Sequence, residues 1–161
     1  MRKQRSLLED VTLTDTGPLV ALVDTDDRHH AQAVETLKRL PKVPLLTTWP
    51  CLTEAMYLLY QSIGYNGQEA LWQFVERGVL LLHLPSEDDW RRMRELMAVF
   101  YDAPMDMADA SVVSAAEHLS LSRVFTFDRH FYAYRLADGT ALEVVQRHFT
   151  TMPRLIRFTL T

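Results

Sequence analysis

The sequence predicts an α/β fold with a mostly parallel central sheet. Two observations carry this expectation. Short β-prone runs alternate with helical segments along the chain. One of those runs, Val79 to Leu84, is almost continuously apolar, the pattern of a parallel strand covered on both faces. The 161 residues fit one domain of ordinary size. A hydrophobic content of 48% sustains a sizeable core and argues against bulk disorder.

Residues 1–10 are polar and charged and read as a loose arm. Val11 to Thr14 is a short β-prone run that ends at Asp15. Thr16-Gly-Pro18 opens a helix carrying Leu19, Val20, Leu22 and Val23, with proline tolerated in the first turn. A polar break precedes a second helix, His29 to Leu40, which Pro41 stops. Val43 to Thr47 reads as the second strand. From Pro50, the apolar positions Leu52, Ala55, Met56, Leu59 and Ile63 follow helical spacing up to Gly64. Gln68 to Arg77 is a further helix, with Gly78 as its C-terminal stop. After the Val79–Leu84 strand, Ser86 caps a helix with Asp88 and Asp89 in its first turn, running to about Tyr101. Asp106 to Leu119 is the next helix, Arg123 to Phe127 a strand ending at Asp128, and Leu142 to Val145 the last strand. The main domain spans 11–145, and 146–161 is a C-terminal extension that packs on the domain or on a partner subunit.

The formal net charge is -4, from 21 acids against 17 bases, which is not the balance of a general nucleic-acid coat. It is compatible with a nuclease, because bound cations supply positive charge where a phosphate sits. The one cysteine, Cys51, rules out an internal disulfide and fits a reducing cytoplasm. It reads as a small buried residue. No apolar h-region follows the basic start, and no apolar run reaches the roughly 20 residues of a membrane span. A Walker-type phosphate loop and a Cys/His zinc cluster are both missing from the sequence.

The distribution of acids points to chemistry. Asp15 and Asp128 end β-type runs, while Glu54 and Asp109 lie early in helices. Ligands in open parallel sheets bind beyond the carboxyl ends of the strands, at the switch point of strand order. Asp106 and Asp109, three apart, share one helix face near its positively polarised start. Glu54 has Cys51, Ala55 and Leu58 around it, so it needs a partner, and no basic residue is adjacent. Each acid alone reads as a cap or a surface charge, Asp106 above all as an N-cap. Capping does not, however, predict four acids at one end of one sheet. Clustered carboxylates repel unless a cation neutralises them. An oxygen-rich site suits Mg2+ or Mn2+, and hydrolysis of a phosphodiester is the first reaction to test.

Four segments in order resemble the PIN-domain family, in particular its VapC-like toxins. They are Leu13-Thr-Asp15-Thr-Gly-Pro-Leu-Val-Ala-Leu22, Leu52-Thr-Glu-Ala-Met56, Met105-Asp-Met-Ala-Asp-Ala-Ser111 and Val124-Phe-Thr-Phe-Asp-Arg-His-Phe131. The resemblance covers roughly residues 11 to 145. It implies a three-layer αβα sandwich and a Mg2+- or Mn2+-dependent endoribonuclease that leaves 5′-phosphate and 3′-hydroxyl ends. Asp15, Glu54, Asp109 and Asp128 would be the catalytic and metal-binding acids, with Asp106 an extra ligand, direct or through water. Thr16 and Thr126 would support the ligands or phosphate oxygens. The implied partners are an RNA substrate, a small antitoxin laying a peptide across the acidic groove, and a second copy of the chain in a homodimer.

Arg129, beside Asp128, reads either as a contact to substrate phosphate or as half of a surface ion pair. His29 and His30, adjacent on a helix, face different ways and do not suggest a metal site. Trp49, Trp72 and Trp90 read as core residues, since no aromatic–basic interleaving accompanies them. Other functions remain in view: a non-toxin RNA-processing nuclease, or an inactive PIN scaffold that holds RNA or protein. A phosphotransferase of the HAD type ranks last, because Gly17 stands where its second aspartate belongs and no lysine lies between 43 and 161.

Overall fold

The computed structural model describes residues 7–146. Five strands form one parallel sheet: β1 (Leu13–Thr14), β2 (Leu45–Thr48), β3 (Leu80–His83), β4 (Arg123–Phe125) and β5 (Glu143–Val145). Their order is β3-β2-β1-β4-β5. The chain therefore steps outward from β1 to β3, then returns to lay β4 on the other side of β1. That reversal makes the gap beyond β1 and β4 the switch point of the sheet.

The helices are α1 (Thr16–Val23), α2 (His30–Arg39), α3 (Trp49–Ile63), α4 (Tyr65–Glu76), α5 (Glu87–Val99) and α6 (Met107–Leu119). Alternate strand residues point to opposite layers. Leu46, Val124 and Val144 pack with Met93, Leu96, Val112 and Val113 of α5 and α6. Leu45, Phe125 and Val145 pack with Ala21 of α1 and Ala33 of α2. A third cluster joins Leu19, Leu52, Leu59, Leu71 and Leu80, tying α1, α3 and α4 to β3. The sheet thus lies between two helical layers, the expected αβα sandwich.

Local chemistry sets the helix ends. Thr48 caps α3, its hydroxyl accepting from Cys51 N at 3.4 Å, and Pro50 lies in the first turn. Ser86 and Asp89 form a reciprocal capping box on α5, as Asp106 and Asp109 do on α6. Gly64 joins α3 to α4 alone, at φ 72° and ψ -158°, a region essentially restricted to glycine. This joint lets α4 begin at Tyr65, three residues before the expected start at Gln68.

Several expectations change. Val79–Leu84 is not covered on both faces: β3 is an edge strand, and Leu81 is 45% exposed. Its apolar run serves one layer only, through Leu80 and Leu82. The tryptophans are not core residues: Trp49, Trp72 and Trp90 are 46%, 40% and 50% exposed. Trp90 lies on the outer face of α5, with the Arg91 guanidinium 5.7 Å from its ring centre. Leu7–Asp10 of the polar arm forms a turn of 3-10 helix, and the Asp10 carbonyl accepts from Arg123 at 3.2 Å. The rest of that arm, and Arg147, His148, Phe149, Arg154, Leu155, Ile156, Arg157 and Phe158 of the extension, lie outside the described residues. Among the described residues, no helix is long and apolar enough to cross a membrane.

Candidate acidic cleft

Beyond the carboxyl ends of β1 and β4 lies a cleft of about 330 Å³. Asp15, Glu54, Asp106, Asp109 and Asp128 all line it, with Thr16. Residues far apart in the sequence, on α1, α3, α6 and the turn after β4, thus meet at the switch point.

Asp15 follows β1 directly and caps α1. Its Oδ1 accepts from Thr16 N at 2.8 Å, and its Oδ2 accepts from the Thr126 hydroxyl at 2.7 Å. The Cys51 thiol approaches Oδ1 at 3.7 Å, and burial pushes that thiol up to about 12. Asp15 itself is pushed up to about 6. Burial is the main cause; the Thr126 and Thr16 bonds oppose it, and repulsion from Asp128 and Glu54 adds to it.

Glu54 projects from the second turn of α3, half-buried. Its partner is a hydroxyl rather than a base: Thr16 Oγ1 donates to Oε2 at 2.8 Å. Asp106 caps α6, its Oδ1 accepting from Asp109 N at 2.8 Å. Asp109 is buried, and its Oδ2 accepts from the Tyr134 hydroxyl at 3.1 Å. It is pushed up to about 7, first by burial and then by repulsion from Asp106 and Asp15. The Tyr134 hydroxyl is raised in turn, by burial and by Asp109.

Asp128 caps a 3-10 turn, Arg129–Tyr132. Its Oδ1 accepts from both the backbone N–H of His130 (2.9 Å) and the ring Nδ1 (2.7 Å), and Thr126 Oγ1 accepts from Asp128 N at 2.9 Å. His130 is therefore the hydrogen-bond partner of Asp128. Arg129 is exposed and does not line the cleft, because the turn folds residue i+2, not i+1, back onto the capping acid. The basic side chain on the cleft wall is Arg28. His29 stands beside it, stacked on Phe127 with ring centres 4.6 Å apart and planes 18° from parallel. His30 turns away and bonds the Ala21 carbonyl at 2.7 Å.

Asp27 on the cleft wall, Tyr134, Arg28 and the His29–Phe127 stack were not signalled as site residues by the sequence. Tyr134 lies 25 positions from its acid, in a loop without a distinguishing pattern. Only the strand-end position of Phe127, next to Asp128, hinted at the stack.

The donor set fits a hard divalent cation. It is all oxygen, and two of its carboxylates are buried with raised pKa values and, among the described residues, no basic partner bonded to them. The cleft carboxylates do not converge tightly as they stand. Among the described residues, three ligating atoms lie within 4.8 Å of one another at His83, Asp89 and His118, outside the cleft.

Comparison with known proteins adds a family model and a set of folds. The model of the PIN domain matches residues 12–136. No curated protein matches the chain. Among solved structures, the chain is similar to VapC20 of Mycobacterium tuberculosis, a sarcin-ricin loop cleaving toxin. The TM-score is 0.71 at 20% identity, covering 76% of this chain and 93% of that one. It is also similar to a chain of a toxin–antitoxin complex from Klebsiella pneumoniae, with TM-score 0.58, 18% identity, and 74% and 89% of the two chains covered. A third is VapBC-1 of nontypeable Haemophilus influenzae, with TM-score 0.53, 17% identity, and 73% and 87% covered.

Proposed function

Because the chain belongs to the PIN-domain family, we propose that the acidic cleft is the active site of an endoribonuclease dependent on Mg2+ or Mn2+. The observation that carries this reading is that Asp15, Glu54, Asp106, Asp109 and Asp128 line one cleft, two of them buried. Asp15, Glu54, Asp109 and Asp128 would hold the ion, and Asp106 would complete the set directly or through water. A bound ion would lower the pKa of water and offset charge on the reacting phosphate.

The chain's own residues do the rest. Thr126 and Thr16 fix the rotamer of Asp15, and Thr16 also orients Glu54. His130 holds Asp128, and Tyr134 holds Asp109. One of the cleft carboxylates takes the proton of the attacking water. Arg28 on the wall offers a donor to a backbone phosphate, and the His29–Phe127 stack offers a flat face to an unpaired base. Both features suit single-stranded RNA or the loops of a structured RNA. Arg129, exposed beside the cleft, is assigned to more distant phosphates.

We further read the protein as the cytoplasmic toxin of a toxin–antitoxin pair. Structures with this fold include the Klebsiella pneumoniae toxin–antitoxin complex. An antitoxin peptide with a basic side chain would complement the buried acids. Exposed Tyr57, Tyr60, Ile63, Tyr65 and Trp72 on α3 and α4 give a homodimer an apolar, aromatic surface.

Purified protein with Mn2+ is expected to cleave single-stranded RNA, and Asp15→Asn and Asp109→Asn to lose that activity. Equal behaviour of all three proteins would remove the basis for a nuclease. A neighbouring antitoxin gene and growth arrest on expression are expected of a toxin. Cleavage without arrest would mark a housekeeping nuclease, and binding without cleavage a scaffold.

A further inference from the structure

We propose that His83, Asp89 and His118 form a second metal site, selective for a borderline transition ion such as Zn2+ and separate from the acidic cleft. The three side chains come from different elements: His83 ends β3, Asp89 sits in the first turn of α5, and His118 in the last turn of α6. One ligating atom from each lies within 4.8 Å of the others. His83 Nε2 is 3.2 Å from Asp89 Oδ2, and His118 Nδ1 is 3.0 Å from Oδ1. A tetrahedral ion with bonds of about 2.0–2.1 Å sets its ligands roughly 3.4 Å apart. Each histidine thus stands at a ligand-like span from one oxygen of the carboxylate, His83 from Oδ2 and His118 from Oδ1, and the ion would be met by either oxygen after a small turn of the group. The remaining span, between the two rings, closes by rotation of His118, whose side chain is 47% exposed.

The chemistry of the set differs from that of the cleft. Two imidazoles and one carboxylate suit Zn2+, Co2+ or Ni2+, whereas the all-oxygen cleft suits Mg2+ or Mn2+. Asp89 is prepared as an anionic ligand. Burial opposes its charged form, but the Ser86 N–H and hydroxyl favour it. Ser86 N and Oγ donate to Oδ2 at 2.7 and 2.9 Å, and Ser114 Oγ donates to Oδ1 at 3.3 Å. These bonds are the outer supports that orient a ligating carboxylate. Without an ion, each ring uses the nitrogen facing Asp89 as a donor. With one, the proton moves to the opposite nitrogen, Nδ1 of His83 or Nε2 of His118, and the facing lone pair binds the metal. The exposed side of His118 leaves a fourth position for water.

The site would pin the edge strand to the α5–α6 layer. It lies at the far end of α6 from Asp109, roughly 13 Å along the helix at 1.5 Å per residue. The proposal does not rest on the nuclease reading.

The test uses full-length protein stripped of metal by a chelator and titrated with Zn2+ in a calorimeter, then with Co2+ in a visible spectrometer. The Asp109→Asn variant serves as the background with a weakened cleft. Zn2+ binding is expected in wild type and in Asp109→Asn, and to weaken by about 10-fold or more in His118→Gln and His83→Gln. Wild type with Co2+ is expected to develop the intense d–d bands of a low-coordinate nitrogen–oxygen site, which His118→Gln loses. His118 is at the surface, so circular dichroism of that variant should match wild type. Should it not, the Co2+ spectrum of wild type and Asp109→Asn decides alone. No Zn2+ binding to wild type, or binding by both histidine variants as tight as that of wild type, would overturn the proposal. So would Co2+ bands that vanish in Asp109→Asn.

Discussion

Asp15 does two jobs with one carboxylate. It caps α1 through Thr16 N, and it faces the cleft. Asparagine preserves the cap and alanine does not. Asp15→Ala is therefore expected to lose the cap, about 1 kcal/mol, together with activity, and Asp15→Asn to lose activity while keeping the cap. Thermal melts beside RNA-cleavage assays separate the two. Tyr134→Phe removes a hydroxyl that favours the charged form of Asp109. The acid limb of the pH–rate profile should move to higher pH in that variant, and an unchanged limb would remove Asp109 from the titration that governs rate. Five of the six acids that line the cleft were legible in the sequence, because strand ends and helix starts are marked by local pattern; Asp27, in the polar break before α2, was not. Their supports were legible in part: the family resemblance points to Thr16 and Thr126, which bond Asp15 and Glu54. Tyr134, which reaches Asp109 across 25 positions, was not, because no local pattern encodes such a contact.

At the level of elements, the joint between α3 and α4 is the most exacting. Nothing lies within 4 Å of a Cβ added at Gly64, so only its backbone conformation resists substitution. Gly64→Ala is expected to destabilise the fold by about 1–3 kcal/mol, read as a lowered denaturant midpoint with an unchanged slope. The strands and helices were readable from Pro, Gly and apolar spacing. The α3–α4 joint was not, because a lone glycine looks the same whether it ends one helix or links two. Strand β3 misled for a related reason: an apolar run records hydrophobicity, not whether a neighbouring strand or helix covers it. The exposed tryptophans follow the same logic, since side-chain type does not reveal which helix face remains uncovered.

Across the whole molecule, the uncompensated acids make stability depend on pH and on metal. Asp15 and Asp109 titrate near 6 and 7 in the fold against 3.8 ordinarily. The folded state thus binds more protons than the unfolded chain between about pH 4 and 7. Their contribution is fully present below the ordinary value and is lost as pH rises through the folded values. The melting temperature of metal-free wild type, relative to Asp109→Asn, should fall over that window. A constant difference would contradict the assigned cost of burying these acids beside one another. Mn2+ should raise the melting temperature of wild type more than that of Asp128→Asn, and equal shifts would exclude Asp128 as a ligand. The strand order carries one more consequence. β1 is made first but finds β4 only after the whole α2–α6 excursion, and Thr126 closes on Asp15 across that distance. During synthesis the N-terminal half emerges first, yet the cleft stays open on one side until β4 and the Asp128 turn have left the ribosome. A nascent chain thus carries an incomplete cleft until β4 and the Asp128 turn have emerged and paired with β1.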